Sequence, residues 1–186
     1  STDKAVKPKN VLGITKRIGE ILINHFSNEK KFIKSKFNVV RFGNVIGSDG
    51  SALPYFFNQI KSDLPISLTD IKMKRYFMTI KEACELVLQS TQINTKNKIL
   101  FLDMGKPIKI IEIIKKIFLI VKKPNQKLKI KYIGNKYNEK ISEKLSLKNK
   151  YSKTKFKKIY SIYEKKTNNK KINLLINYLN KKKETL

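Results

Sequence analysis

The sequence lacks several features that would assign it to a familiar class of protein. It has one cysteine, Cys84, which excludes an intrachain disulfide and a cysteine-based zinc site. Its seven glycines form neither a GxGxxG turn nor a P-loop, the motifs that cradle phosphates. Charged residues interrupt its longest apolar stretch, residues 108–121, so we predict no membrane span there and see no secretory signal. These absences favour a reducing, cytoplasmic location.

Acidic residues are scarce too, with 14 against 42 basic ones and a net charge of +28. Such a charge invites a nucleic-acid interpretation, because lysine and arginine neutralise phosphates. The lysines, however, are spread along the whole chain among many asparagines and isoleucines, as AT-rich coding sequence would produce. We therefore expect no specific nucleic-acid partner. The arginines Arg17, Arg41 and Arg75 all lie in the first half, and a guanidinium is not interchangeable with an ammonium.

Two solitary residues are expected to be structural. Cys84 is predicted to be a small buried apolar residue, and we assign it no reactivity. His25, the sole histidine, lies near the end of an apolar-periodic segment and is expected to be a helix-end residue, not a ligand or base. Neither residue belongs to a metal-binding pattern, so no metal site is predicted.

Hydrophobic periodicity predicts alternating helices and strands, which favours an α/β fold. Asn10 can cap the first helix, and the pattern Thr79–Glu82 has the form of a capping box. After Gly134, lysine, asparagine, serine and tyrosine dominate, and we expect a domain over residues 1–145 and a loosely packed tail over 146–186. The predicted helices cover residues 10–26, 53–61, 80–92, 108–121 and, at the end of the tail, 172–179; the predicted strands cover residues 37–42, 98–103 and 129–133.

The chain opens with a group of reactive side chains, Thr2, Asp3 and Lys4. An aspartate beside a lysine is common on solvated surfaces, but these residues would end a strand whose start is missing. Lys16 lies four residues after Leu12 on one helical face and is expected to enter the same pocket. A lysine there could take a proton from carbon while the carboxyl group delivers one elsewhere, which suits elimination of water beside a carbonyl. A chain that begins in its active site is expected to be a fragment.

The loop at residues 43–51 contains three glycines and follows the end of a predicted strand. Ligands of open α/β sheets bind at the carboxyl ends of strands, which makes Asn44 and Ser48 candidate binding residues. The alternative is a tight turn in which the glycines supply positive φ angles. The residues alone leave both interpretations open.

Four blocks of sequence, in this order and spacing, resemble one branch of the extended short-chain dehydrogenase/reductase enzymes. That branch is the CapD-like polysaccharide-biosynthesis proteins, the UDP-N-acetylglucosamine 4,6-dehydratases. The resemblance covers about residues 1–145 and implies the carboxyl-terminal part of a Rossmann-type fold with its substrate-binding subdomain, without the amino-terminal GxGxxG half. The blocks are STDKAVKPKNVLGITKR, VVRFGNVIGSDGSALPYFFNQI, KRYFMTIKEACELVLQS and ILFLDMGKPIKIIEIIKKI.

The resemblance assigns roles to individual residues. It implies that Thr2 lies by the sugar C4 hydroxyl, that Asp3 is an acid toward C6, and that Lys4 removes the C5 proton. Lys16 matches the lysine of the family's YxxxK motif, which holds the nicotinamide ribose, and so counts as both a catalytic and a cofactor-binding residue. Asn44 resembles the residue that contacts the substrate's sugar-phosphate portion. Arg75 and Glu139 lie in blocks assigned to the substrate side.

The implied reaction is an internal redox cycle in which NAD takes hydride from C4, water leaves across C5 and C6, and hydride returns to C6. The implied substrate is a UDP-N-acetylhexosamine. The NAD site would be incomplete in this chain, and the full-length protein is expected to be a homo-oligomer. Membrane contact would come only through the missing amino-terminal region, at the cytoplasmic face of the inner membrane.

Two positions depart from the family pattern. Leu12 stands where related enzymes carry a catalytic tyrosine; the long CapD-like members usually have methionine there, so an apolar residue fits that branch. Lys136 replaces the arginine of the family's RPGEK motif, while Glu139 and Lys140 match it. The second departure puts nucleotide affinity in question.

Two alternatives stay open. A UDP-sugar 4-epimerase uses the same scaffold, but Leu12 argues against it. A truncated, non-catalytic remnant with a polyanion-binding tail would fit the basic composition. In either case, the absent half would leave an apolar helix face and a strand edge uncovered.

Overall fold

The computed structural model describes residues 1–48, 51–94, 98–135, 139–144, 151–164 and 168–183. Over these residues, helices and strands alternate, which confirms the predicted α/β class. The helices are α1 (Val11–Phe26), α2 (Ala52–Lys61), α3 (Ile80–Ser90), α4 (Ile110–Val121) and α5 (Asn169–Lys183). The strands are β1 (Val39–Arg41), β2 (Asn44–Val45), β3 (Ile66–Leu68), β4 (Lys74–Arg75), β5 (Phe77–Met78), β6 (Lys98–Leu102), β7 (Ile108–Lys109), β8 (Ile130–Tyr132), β9 (Ser152–Lys153) and β10 (Ile159–Tyr163).

The main sheet has four strands in the order β1-β6-β10-β9. β1 runs parallel to β6, and β10 runs antiparallel to both β6 and β9. β6 has a paired strand on each side, and its apolar residues are buried on both faces of the sheet. On the other side of β1, Thr2 forms a parallel bridge with Phe42, and the Asp3 amide donates to the Phe42 carbonyl at 3.3 Å. The sheet thus delivers the Thr2–Lys4 segment to its carboxyl-terminal edge.

Three two-stranded pairs extend the molecule beyond that edge. β2 pairs with β5 and β3 with β8, both in parallel, while β4 pairs with β7 in an antiparallel manner. α2 and α4 pack against these pairs around one apolar core, and α3 covers the main sheet around a second. The first core contains Phe56, Ile60, Ile66, Leu68, Met73, Ile110, Ile111 and Ile114; the second contains Met78, Ala83, Leu86, Leu100, Leu102 and Ile159.

Local sequence signals determine where two of the helices begin. The Asn10 side chain accepts a hydrogen bond from the Gly13 amide at 2.9 Å, so α1 starts where its cap predicts. Thr79 and Glu82 form the complete capping box at the start of α3. α4 begins two residues later than predicted, because the preceding residues form β7 against β4.

The expectation of a loosely packed tail after residue 145 is wrong for residues 152–163. β10 contributes a full antiparallel edge to β6, and Ile159 and Ile162 are buried. α5 is also longer than predicted and buries Ile172. Lys158 and Glu164 flank the five residues of β10, which gave too short a pattern to reveal a strand, whereas pairing with β6 makes this strand part of the core.

Cys84 and the first turn of α1 both lie at the surface of the protein. Cys84 is exposed, contrary to the predicted buried position. In the first turn of α1, the apolar side chains Val11 and Leu12 are 75% and 54% exposed. Within the described part of the chain, none of the helices combines the length and apolar character needed to cross a membrane.

Candidate active site

A cavity of about 680 Å³ lies beyond the carboxyl-terminal edge of the main sheet, between the short strand pairs and α2. Its volume falls in the range of small-molecule sites. Four of the seven predicted site residues line it, together with Ser48, and so do residues from the segment at 139–144. The polar lining includes Lys4, Asn10, Asn44, Ser48, Arg75, Glu139, Lys140 and Glu143.

The Thr2–Lys4 segment forms a tight turn at the wall of this cavity. Asp3–Ala5 is a 3-10 turn whose cap is Thr2. The Thr2 hydroxyl donates to Asp3 Oδ1 at 2.8 Å, and Lys4 Nζ lies 3.2 Å from the same oxygen. The carboxylate therefore orients both neighbours. Lys4 lines the cavity, while Asp3 is fully buried and is not part of the wall.

Asp3 has one oxygen without a hydrogen bond from the described residues. Its Oδ2 is buried, and a Cβ at Gly43 would lie 3.0 Å from it. A Cβ there would also crowd Tyr76. Position 43 therefore needs glycine for close approach, since any side chain would press on the carboxylate. A buried, half-satisfied carboxylate is costly to maintain, and such groups concentrate at functional sites.

The substrate-side residues line the same cavity. Asn44 donates through its side chain to the Tyr76 carbonyl at 3.1 Å, which fixes the amide at the cavity surface. The buried Arg75 donates to the Ile141 carbonyl at 3.3 Å, and its NH2 lies 3.8 Å from the Glu139 carboxylate. These contacts hold a guanidinium and a carboxylate together at the cavity. Lys136 lies outside the described residues.

The loop after β1 has a structural role at one candidate residue. The Ser48 hydroxyl donates to the Val45 carbonyl at 2.9 Å, which is a turn contact, although the residue also lines the cavity. Gly47 adopts a φ of 77°, as the turn interpretation predicted. The turn interpretation is therefore confirmed for residues 45–48, and the binding role of Asn44 and Ser48 stays a prediction.

Lys16 does not join Lys4 in the cavity, contrary to the expectation of one shared pocket. Lys16 lines a separate hollow of about 440 Å³, together with Glu20 and Asn38, whereas Leu12 lines the main cavity. Four residues advance a helix by roughly 6 Å, which is enough for the two side chains to reach different spaces.

The described residues do not by themselves fit a dinucleotide. Lys16 supplies one exposed cation in its hollow, and the sequence has no glycine-rich turn for the pyrophosphate.

Sequence reasoning did not place Lys140 and Glu143 in the site. The Lys140 ammonium lies 3.4 Å from Glu143 Oε2, and both residues line the cavity. Lys140 matches the family's RPGEK motif, but that match assigned it no role in the site. For Glu143 the signal was its spacing of three residues from Lys140, which is weak in a chain so rich in lysine.

A second polar cluster lies behind the site and joins α1, β1 and the residue after β10. Glu20 accepts from Arg41 Nε at 2.6 Å and from Arg17 NH1 at 2.9 Å, and Arg17 also donates to Glu164 at 2.7 Å. Burial alone would raise the pKa of Glu20, but the hydrogen bonds and charge of Arg41, with help from Ser1 and Arg17, lower it. The cluster is a structural ion-pair network.

The parallel strands, the helix that follows the Thr2–Lys4 turn and the cavity at the carboxyl edge define part of a Rossmann-type extended short-chain dehydrogenase/reductase. The chain belongs to the polysaccharide biosynthesis protein family, which it matches over residues 1–164. Capsular polysaccharide biosynthesis protein CapD of Staphylococcus aureus is 44% identical over 86% of this chain and 26% of its own length. A UDP-glucose 4-epimerase of Rickettsia bellii is 34% identical over 78% of this chain and 41% of its own.

Solved structures agree with this assignment of the fold. The X-ray structure of Pen from Bacillus thuringiensis superposes with a TM-score of 0.78 and 29% identity, over 95% of this chain and 60% of that one. UDP-glucuronic acid 4-epimerase from Bacillus cereus, in complex with UDP-glucuronic acid and NAD, has a TM-score of 0.56 at 18% identity, over 70% of this chain and 42% of that one. The chain thus spans less than two thirds of each of these relatives.

Proposed function

We propose that the chain carries the substrate side of a nucleotide-sugar 4,6-dehydratase. The enzyme would convert UDP-N-acetylglucosamine to a UDP-4-keto-6-deoxy-hexosamine for polysaccharide or glycan biosynthesis. The observation that carries the proposal is the Lys4 ammonium, held 3.2 Å from the buried Asp3 carboxylate at a cavity that also contains Arg75 and Glu139. Membership of the polysaccharide biosynthesis family supports it.

The proposed chemistry is assigned to Lys4 and its two neighbours, Thr2 and Asp3. Lys4 is the base that takes the C5 proton, because its side chain reaches the cavity. Asp3 and Thr2 orient Lys4 and the sugar, and the proposed proton delivery from Asp3 to the C6 oxygen needs its carboxyl group to turn toward the cavity. NAD, which family resemblance implies, would supply hydride exchange at C4 and C6 when bound by the whole protein.

Three other lining residues, Arg75, Asn44 and Glu139, would bind the nucleotide portion of the substrate. Arg75 offers a guanidinium, which suits phosphate oxygens, and Asn44 lies beside it as a polar contact for the sugar-phosphate portion. Glu139 would accept from hydroxyl groups of the substrate. Assembly as a homo-oligomer and a location in the cytoplasm or at the cytoplasmic membrane face belong to the same proposal for the whole protein.

A UDP-sugar 4-epimerase is the second candidate. The 34% identity to a Rickettsia UDP-glucose 4-epimerase favours it. Leu12 argues against a tyrosine-dependent route, because this side chain lines the cavity and cannot exchange a proton. The two candidates differ at C5, since elimination must break the C5–H bond and 4-epimerisation leaves it intact.

The decisive experiment is turnover in deuterium oxide by the complete protein as its cell makes it, followed by NMR. With UDP-N-acetylglucosamine and NAD, we expect a 4-keto-6-deoxy product that carries deuterium at C5. Lys4→Met should lower kcat by roughly 10²- to 10⁴-fold, the usual contribution of a positioned base. Lys36→Met, which removes an exposed lysine remote from the cavity, is the matched control.

Two results would contradict the proposal. A C4 epimer without deuterium at C5 would establish the epimerase instead. A Lys4→Met variant as active as the Lys36→Met control would remove Lys4 from the chemistry.

A further inference from the structure

Residues 139–144 form a segment that closes one side of the cavity. The Lys74 amide donates to the Ile141 carbonyl at 2.8 Å, and Ser142 forms a parallel bridge with Lys74. Arg75 donates to the same Ile141 carbonyl. The segment is therefore held by β4 on one side and presents Glu139, Lys140 and Glu143 to the cavity.

From this segment, the Lys140 ammonium reaches the start of the chain. It donates to the Val6 carbonyl at 2.5 Å and to the Lys4 carbonyl at 3.4 Å, across 134 and 136 residues of sequence. The two carbonyls lie at the end of the 3-10 turn that carries Lys4. One side chain thus spans the turn that presents the proposed base.

The backbone of the turn is held by contacts with other parts of the chain. Lys7, directly after it, has a φ of 47°, a left-handed conformation that a lysine rarely adopts unless the surroundings hold it. On its other side, Gly13 of α1 packs so closely that a Cβ there would lie 2.7 Å from the Lys4 carbonyl. The Lys4 carbonyl therefore lies between a helix and an ammonium.

A mostly buried ammonium needs an opposite charge nearby. The Lys140 side chain is 14% exposed, and the Glu143 side chain, 3% exposed, lies 3.4 Å away. Glu143 Oε2 accepts no hydrogen bond from the described residues, so its contribution to Lys140 is electrostatic. Removal of either charge would leave the other buried without compensation.

We propose that Lys140, held by Glu143, is a positioning residue for Lys4. Its two backbone hydrogen bonds fix the turn, so that the Lys4 ammonium points into the cavity. The same segment carries Glu139, which lies 3.8 Å from Arg75, so substrate contact and placement of the base depend on one short element. Two experiments test this inference. The first, a kinetic experiment, rests on the proposed function; the second, a structural experiment, rests only on the geometry of the turn.

The kinetic experiment uses the complete protein with UDP-N-acetylglucosamine. Lys140→Met should lower kcat by roughly 10- to 100-fold, since displacing a catalytic group by about 1 Å has effects of this size. KM should stay within about twofold, because ground-state contacts are retained. Lys140→Arg should recover part of the rate, since a guanidinium can also donate to both carbonyls. The control is Lys144→Met, which replaces an exposed lysine of the same segment and should leave kcat and KM as in the unchanged protein.

The structural experiment is amide hydrogen exchange, which needs no turnover. The amides of Ala5 and Val6 donate within the turn, so their exchange reports its stability. Lys140→Met and Glu143→Gln should both speed their exchange, whereas Lys144→Met should not.

Each combination of results decides the inference. Unchanged exchange in Lys140→Met would overturn the tether, and faster exchange with unchanged kcat would overturn its role for Lys4. If the unchanged protein forms no 4-keto-6-deoxy product, the proposed function fails together with the positioning role, while the exchange data still decide whether Lys140 holds the turn.

Discussion

Gly13 shows how one missing side chain determines the geometry of this site. It lies in the first turn of α1, where alanine would ordinarily be preferred by about 1 kcal/mol. A Cβ at this position would lie 2.7 Å from the Lys4 carbonyl and 3.0 Å from Pro8 Cβ. The close packing of α1 on the Lys4 turn is possible only because the residue is glycine.

Alanine substitutions at two glycines of α1 should therefore have opposite effects on stability. Gly13→Ala should lower stability by about 1–3 kcal/mol through overpacking. It should also lower kcat, because it pushes the Lys4 turn away. Gly19→Ala meets nothing within 4 Å and should raise stability by up to about 1 kcal/mol. Urea denaturation and turnover assays measure both effects, and equal stabilities of the two variants would refute the packing argument.

The arginines illustrate a second lesson at the residue scale. Arg17 and Arg41 meet in the ion-pair network, and Arg75 lines the cavity. The sequence marked them as exceptional among so many lysines. It could not show which carboxylates they meet, because Glu20 and Glu164 are far apart in the chain and are brought together only by folding.

At the scale of elements, this network joins α1, β1 and the residue that follows β10. Glu20 is 2% exposed, and its four hydrogen bonds come from three residues. The network ties these three elements together. We expect them to unfold together.

The network also predicts a dependence of stability on pH. The pKa of Glu20 lies below its ordinary value of 4.5 in the folded state. The unfolded chain therefore takes up this proton first, so that the stabilisation is complete above pH 4.5 and is lost as the pH falls through the folded pKa. Glu20→Gln should cost about 3 kcal/mol at pH 7, because the buried Arg41 would keep only its 3.6 Å contact with Glu164.

The variant should also change the acid limb of the stability curve. Urea midpoints between pH 7 and pH 3 should fall less steeply for Glu20→Gln than for the unchanged protein, because the variant has no carboxylate at position 20 whose stabilising charge could be lost by protonation. Parallel curves would show that Glu20 does not contribute to acid unfolding. Glu85→Gln, which neutralises an exposed carboxylate of α3, is the control.

On the scale of the whole molecule, the residues after 145 are part of the folded unit. β10 supplies five paired residues to β6 and buries Ile159 and Ile162. α5 packs against α1 and buries Ile172. The match to the family likewise continues to residue 164. The boundary predicted at residue 145 therefore separates sequence compositions and not packing units.

Truncation of the complete protein tests this conclusion. Removal of everything after residue 168 deletes α5 and should leave a folded protein with a lower urea midpoint. Removal of everything after residue 150 also deletes β9 and β10, which exposes the apolar face and edge of β6. This second variant should be insoluble or unfolded by circular dichroism. If it kept the midpoint of the first variant, β10 would be dispensable.

Most helices could be predicted from the sequence because their signals are local. Asn10, Thr79 and Glu82 cap helices through bonds to residues three positions away, and apolar spacing marks the faces that pack. The four sequence blocks likewise identified the family, since they preserve order and spacing. The weakest predictions were those for the last 40 residues and for Lys16.

What the sequence determined by itself is therefore the fold class, the family and the presence of the Thr2–Lys4 group beside a strand end. Only the tertiary structure decided that β10 completes the main sheet, that Lys16 opens into a different hollow from Lys4, and that Lys140 holds the turn. The physical reason is range: caps and periodicity act over three or four residues. The contacts that complete the sheet and shape the site join distant positions, and no local pattern encodes them: β6 ends at Leu102 and pairs with β10, which begins at Ile159, and Lys140 reaches Val6 across 134 residues.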